Sequence, residues 1–287
     1  MAAVPVITID SAEDDRLAGY RAVSDPALAR AGGRFVAEGR RVVERLLLSP
    51  AFAVESVLVT KPAHVALQSL PEVLTARPNV PVYLVPQDVM NRVAGFHIHR
   101  GCLALARRPV PSAWETLAAG ARLMIVLEQL GDADNVGSTF RCAAAFGVDA
   151  VLLGPGCADP LYRKAIRTSM GAALAVPFAI VDETTRPWPG ALHVLRAGGW
   201  DVVGLTPRAT CPPLWDVAGD GSSRLALVFG HEGDGLSPQA LDACTRLARI
   251  PMVPGVDSLN VAVSVGVALH DVTRTRQQST LAGKAPR

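Results

Sequence analysis

Apolar and polar positions along this chain switch repeatedly between two periods. Between residues 34 and 108, short apolar or alternating runs (RFVAEG, VESVLVT, VPVYLVP, HIHRGCLALA) take turns with stretches whose apolar residues recur every three or four positions (RRVVERLLLS, HVALQSL, QDVMNRVAG). The first kind predicts strands and the second amphipathic helices, so this part reads as a small α/β unit. Pro109 and Pro111, with the weakly patterned SAWETLAAGA behind them, predict a linker over 109–121. Further strands are predicted at RLMIVLEQL, DAVLLGP, VPFAIVD, WDVVGLTP, RLALVFG and RLARIPM. Helical patterns separate them, which predicts a parallel sheet covered on both faces. The expected organisation is a tail over 1–29, a first domain over 30–108, the linker, and a second domain over 122–287. Both chain ends are expected to fray, because neither 1–29 nor 277–287 sustains a period.

Composition narrows the class. With 287 residues, 49% of them hydrophobic and 19% charged, the chain can bury the cores of two ordinary domains. Aromatics make up only 5%, which argues against a protein that reads single-stranded RNA by base stacking. The formal net charge of +2 requires any nucleic-acid contact to be a local patch. The five cysteines (Cys102, Cys142, Cys157, Cys211, Cys244) are scattered and include no CxxC pair, so neither a disulfide framework nor a zinc or other metal site is indicated. With no basic leader and no membrane-length apolar run, the expected location is the cytoplasm.

In an open α/β sheet, ligands bind beyond the carboxyl ends of the strands. Three predicted loops there are unusual. GDADNVGSTFRCAAAFG follows the first strand of the second domain, placing Asn135 to cap a helix closed by Gly147, with Arg141 in its second turn. HEGDGLS follows RLALVFG and sets Gly230, Gly233 and Gly235 around His231, Glu232 and Asp234; its spacing matches neither GxGxxG, nor a P-loop, nor HExxH. VPGVDSLNVAVSVGVALHD follows RIPM, with Ser258 and Asn260 ahead of an apolar helix. Taken singly, Asn135, Glu232, Ser258 and Asn260 are each as readily explained as helix caps. Three polar or glycine-rich strand ends in one sheet, without a metal-ligand set, indicate an organic cofactor held largely by backbone groups.

NVGSTFRCAAAFG, FGHEGDGLS and IPMVPGVDSLNVAVSVGVAL, in that order, resemble the three motifs of the SpoU or TrmH-like RNA methyltransferases, and DPLYRKAIRTSMGAALAVPF is similar to a further segment of that family. RFVAEGRRVVERLL and GFHIHRGCLALARRP look like the start and end of the family's small substrate-binding domain, whose fold is related to ribosomal protein L30e. The resemblance implies an α/β chain in which an L30e-like domain precedes a trefoil-knotted methyltransferase domain. It implies S-adenosylmethionine as cofactor, the ribose 2′-hydroxyl of an rRNA or tRNA as acceptor, and a homodimer. It places cofactor contacts at Gly230, Ile250 and Leu259, with the loop at Leu205 and Thr206.

The family's polar positions fall on Asn135, Arg141, Glu232, Ser258 and Asn260. A guanidinium, with a pKa above roughly 12, is a poor general base. Arg141 is therefore expected to pair with the target phosphate and orient the hydroxyl, while Asn135 and Glu232 arrange the loops and Ser258 and Asn260 position substrate. The chain departs from the family pattern at His231, commonly Asn, and at Arg100, often Gln. Candidate RNA contacts are Arg34, Arg40, Arg41 and Arg100 in the first domain and Arg163, Lys164 and Arg167 in the second. The rival readings are a noncatalytic RNA-binding protein that keeps the fold and a knotted enzyme that methylates a base nitrogen.

Overall fold

The structure is a computed structural model, and it describes residues 5–21, 28, 33–69, 76–98, 101–217 and 224–282, with side chains as far as 276. The chain divides into two compact units. The first comprises Met1–Val110 and Pro160–Ala175, the second Pro111–Asp159 and Val176–Arg287.

The first unit holds a five-stranded mixed sheet built from β1 (Val6–Thr8), β2 (Arg34–Glu38), β3 (Val54–Val59), β4 (Val82–Leu84) and β5 (Cys102–Arg107), in the order β1-β4-β3-β5-β2. β1, β4 and β3 run parallel, and β5 pairs antiparallel with β3 and β2. The helices Arg40–Leu48, Lys61–Gln68 and Gln87–Ala94 occupy the stretches whose period predicts them. Each buries one stripe, for example Val42, Val43, Leu46 and Leu47 in the first.

Two parts of this unit differ from the sequence reading. Residues 6–20 are no tail: β1 extends the sheet, and the 3₁₀ helix Asp15–Tyr20 inserts Leu17 and Tyr20, both fully buried. The Tyr20 hydroxyl lies 2.7 Å from Ser56 Oγ and accepts from the Leu105 N–H at 3.3 Å, so the phenol satisfies its polar end inside the core. The second difference is Pro160–Ala175, which packs with the first unit although it follows strands of the second. Its helix Arg163–Thr168 lies against β2, with Leu161, Ala165 and Ile166 buried and the Arg45 guanidinium donating to the Met170 carbonyl at 2.8 Å.

The second unit holds six strands, β6 (Leu123–Leu127), β7 (Ala150–Leu153), β8 (Phe178–Ile180), β9 (Trp200–Leu205), β10 (Arg224–Phe229) and β11 (Arg246–Ala248), in the order β11-β9-β10-β6-β7-β8. Every pair is parallel. β6 and β7 are buried along their whole length, which is why they read as unbroken apolar runs. The helices Ala133–Ala145, Gly190–Ala197, Leu214–Val217 and Pro238–Ala243 connect the strands, and Val261–Ala282 follows the last strand and packs on Ala133–Ala145. Part of the expected linker is also ordered: Trp114–Gly120 is a helix whose Trp114 and Ala118 join the second unit's core. The closing helix likewise runs through 277–282, beyond the last predicted period. Among the described residues no helix is long and apolar enough to cross a membrane, and no group of acidic, His and Cys side chains is placed to hold a metal.

Candidate active site

Because the second sheet is all parallel, the ends of β6, β9, β10 and β11 open on one edge. β6 and β10 finish in register, Leu127 opposite Phe229, and the Glu128 N–H donates to the Phe229 carbonyl at 2.9 Å. Glu128 is 1% exposed. Its carboxylate accepts from the Trp188 ring N–H at 2.6 Å, the Ser237 hydroxyl at 2.6 Å and the Ser237 N–H at 2.9 Å. Ser237 Oγ in turn accepts from the Ala240 N–H at 3.2 Å and so caps Pro238–Ala243. Glu128 thus fixes both ends of the loop after β10 against β6, the start through its backbone N–H and the far end through its buried carboxylate.

That loop turns back on itself. His231 and Gly235 exchange backbone hydrogen bonds at 3.0 and 2.9 Å, and a Cβ on Gly230 would sit 2.3 Å from the Gly235 carbonyl carbon, so no side chain fits there. The turn carries Glu232 to Asn135, whose side-chain amide donates to Glu232 Oε1. Asn135 Oδ1 accepts from Asn260 Nδ2 at 2.9 Å, and Asn260 Oδ1 accepts from the N–H groups of Ala262 and Val263 at 3.0 and 3.3 Å. This order leaves no ambiguity in the amides: a carboxylate only accepts, so Asn135 must donate to it and accept from Asn260, which must accept from the helix. Asn135 is therefore not the cap of its helix. Asp132 is, accepting from the Asp134 N–H at 2.9 Å, which releases the buried Asn135 side chain to join the three loops.

Beside this chain of amides lies an open cavity of about 260 Å³. It collects all five residues expected to contact a cofactor, Leu205, Thr206, Gly230, Ile250 and Leu259, together with Glu232 and Ser258. The wall is largely apolar, with hydroxyls at Thr206 and Ser258 and exposed main chain at the glycines, a lining suited to a flat heteroaromatic ring read by backbone groups. Arg208, His231, Met252 and Ser264 also line it. Cys244 is buried beside β9, its sulfur 2.9 Å from where a Cβ on Gly204 would be; burial first, and the Glu128 charge second, push its thiol up to about 12.

Arg141 does not line the cavity. It projects into solvent six residues beyond Asn135 on the same helix, and among the described residues it makes no hydrogen bond or ion pair. Arg34, Arg40, Arg163, Lys164 and Arg167 all belong to the first unit, so the sequence placement of the last three in the second domain is corrected by the packing of Pro160–Ala175. Several are already compensated: Arg34 pairs with Glu55 at 2.8 Å, Arg40 with Glu44 at 3.3 Å and Arg167 with Glu38 at 3.6 Å. Arg163 lies 5.9 Å from the Phe96 ring centre, and Arg41 is exposed. Arg100 lies outside the described residues. Sequence reasoning missed Glu128 and Ser237; a carboxylate ending a wholly apolar strand was the available signal, but its partners are 60 and 109 positions away.

Residues 122–270 match the family model described as the SpoU rRNA Methylase family. An uncharacterized tRNA/rRNA methyltransferase of Mycobacterium bovis is 41% identical over 269 residues, covering 92% of this chain and 90% of the relative. A 23S rRNA (guanosine-2′-O-)-methyltransferase from a Burkholderia species is 32% identical over 207 residues, 71% of this chain and 81% of that one. Among solved structures, an AdoMet-bound rRNA methyltransferase from Sinorhizobium meliloti superposes with a TM-score of 0.76 at 22% identity, over 94% of this chain and 98% of its own. At that identity the superposition speaks for the fold.

Proposed function

We propose that this chain, which belongs to the SpoU rRNA methylase family, transfers a methyl group from S-adenosylmethionine to a ribose 2′-hydroxyl of rRNA or tRNA. The observation that carries the reading is the convergence of the β6, β10 and β11 loops: Asn135, Glu232 and Asn260 in one hydrogen-bonded chain, beside a cavity walled by Leu205, Thr206, Gly230, Ile250, Ser258 and Leu259. The names of the Burkholderia and Sinorhizobium proteins support ribose 2′-O chemistry and AdoMet respectively.

The cavity fits the cofactor by the chemistry of its wall. Leu205, Ile250 and Leu259 would hold the adenine ring, and main-chain groups that the missing side chain at Gly230 leaves accessible would read its edge. When bound, S-adenosylmethionine supplies an electrophilic methyl group on a sulfonium. The protein's part is alignment and proton removal. Asn135, Glu232 and Asn260 hold the three loops together, and Ser258, exposed on the cavity rim, orients the acceptor nucleotide. Arg141 engages the phosphate beside the reacting ribose, and its solvent-facing guanidinium is open to that contact.

The remaining family expectations belong to the same proposal. A trefoil knot is supported by the way 206–214 runs beside β11 and its exit, with Thr206 N donating to Ala248 O at 3.0 Å and Leu214 N to Arg249 O at 2.9 Å. A homodimer is supported by Val263 and Val267, which stand 52% and 37% exposed one turn apart on the last helix. The mixed sheet of the first unit serves as the L30e-like RNA-binding domain, with Arg41, Arg163 and Lys164 as phosphate contacts. An RNA substrate of this kind places the protein in the cytoplasm.

Tritiated methyl transfer into RNA from cells lacking this gene, followed by nucleoside mass spectrometry, tests the reading. A 2′-O-methylnucleoside is expected. A methylated base overturns the ribose assignment, and AdoMet binding without transfer favours the noncatalytic rival. Arg141→Ala should reduce transfer at least about 100-fold while leaving AdoMet affinity within about twofold; normal transfer by that variant removes Arg141 from the mechanism.

A further inference from the structure

His231 lines the cavity, yet the chemistry above gives it no task. Its Nδ1 accepts two backbone hydrogen bonds, from the N–H of Gly233 at 3.0 Å and of Asp234 at 3.2 Å. A ring nitrogen that accepts carries no proton, so this geometry assigns the ring N–H to Nε2. The 3.9 Å approach of Asp234 Oδ2 to the same Nδ1 is then no hydrogen bond, because that nitrogen has nothing to donate. The charged groups around the ring are Asp234 and Glu232 on its own turn and Arg208 from the loop after β9, which lines the same cavity.

The turn needs such an acceptor. Gly233 and Gly235 give it backbone freedom, Gly235 at φ +72°, and the N–H groups of Gly233 and Asp234 would otherwise point at water. A side-chain acceptor gripping the N–H groups two and three positions ahead does here what Asn or Asp does in an Asx turn. The same turn delivers Glu232 to Asn135 and presents Gly230 to the cavity.

We propose that His231 is the positioning residue of this loop: its unprotonated Nδ1 holds the Glu232–Asp234 turn in the shape that lets Glu232 reach Asn135 and Gly230 edge the cofactor cavity. The inference rests on the reading of that cavity as the AdoMet site. It assigns a specific atom, and two amides distinguish it. Asn places its oxygen where Nδ1 lies; Gln reaches only the Nε2 position.

The test uses the full chain with His231→Ala, His231→Asn and His231→Gln, and measures AdoMet affinity by calorimetry, kcat and KM for AdoMet, and thermal unfolding. The Ala and Gln variants should bind AdoMet about tenfold more weakly, with KM rising more than kcat falls, as the loss of two modest hydrogen bonds predicts. The Asn variant should recover wild-type affinity, and all three should melt within a few degrees of wild type. Long-range ¹⁵N correlation spectra of the native protein should show a bare Nδ1. Equal rescue by Gln, unchanged affinity in the Ala variant, or a proton on Nδ1 overturns the proposal. Leu259→Trp separates the underlying reading: filling the cavity should abolish AdoMet binding, and if it does not, the cavity assignment fails and the role of His231 with it.

Discussion

Replacing Glu128 by Ala tests whether a buried charge holds the site together. Glu128 accepts from Trp188 Nε1, Ser237 N and Ser237 Oγ at 2.6–2.9 Å while 1% exposed. Removing the carboxylate strands two N–H donors that have no other acceptor among the described residues; the Ser237 hydroxyl can rotate. An unsatisfied buried donor costs about 1–3 kcal/mol, so about 3 kcal/mol is the expected loss from the pair. For a unit of this size that is a fall of about 6–12 °C in melting temperature. Glu128→Gln should cost about half as much: its oxygen can still serve Trp188 and the Ser237 hydroxyl, but its NH₂ then confronts the Ser237 N–H. Urea unfolding followed by tryptophan fluorescence measures both variants, and Trp188→Phe closes a double-mutant cycle with an expected coupling of about 1–2 kcal/mol. A cost below about 1 kcal/mol for the Ala variant, or no coupling to Trp188, would show that the carboxylate is not the joint described.

Further outcomes follow from the same geometry. Gly230→Ala should lower AdoMet affinity at least about tenfold in a calorimetric titration, since its Cβ would lie 2.3 Å from the Gly235 carbonyl carbon and the turn must move. Asn135→Ala and Asn260→Ala should be non-additive by about 1 kcal/mol in denaturant unfolding, because both amides sit in one hydrogen-bonded chain; additive losses would count against that chain. Burial pushes the thiols of Cys102 and Cys244 up from 9.0 to about 12. Between those values the unfolded thiols release protons that the native ones keep, so stability falls as pH rises above about 9. Thermal melts from pH 8 to 10.5 should show that slope, and Cys102→Ala should flatten it.

The strands and most helices were legible because each buries one face or both, and burial imposes a period. What escaped the sequence depends on partners far along the chain. Val6–Thr8 is too short to show alternation, and Tyr20 is held by Ser56 and Leu105, 36 and 85 positions away. The cap of the helix Ala133–Ala145 was misplaced because Asp132 and Asn135 are both good caps; what decides between them is Glu232, 97 positions distant, which draws the Asn135 amide inward. The cavity residues were found through family motifs, since Leu205, Ile250 and Leu259 look like any apolar residue at a strand end. His231 stood out as a departure from the family pattern, but its use of Nδ1 depends on the turn that it closes.

Pro160–Ala175 has a consequence for how the polypeptide is made. A ribosome delivers residues in order, and a domain closes when its last strip arrives. Here the first unit lacks its helix Arg163–Thr168 until well after β6 and β7 have been synthesised. During that interval the surface destined for Leu161, Ala165 and Ile166 stays uncovered, while the nascent second unit holds only two of its six strands. Neither unit can therefore finish before the other has begun. A fragment cut at Val110 would keep that surface bare permanently, so expression of the halves as separate genes should yield aggregation where the intact chain folds.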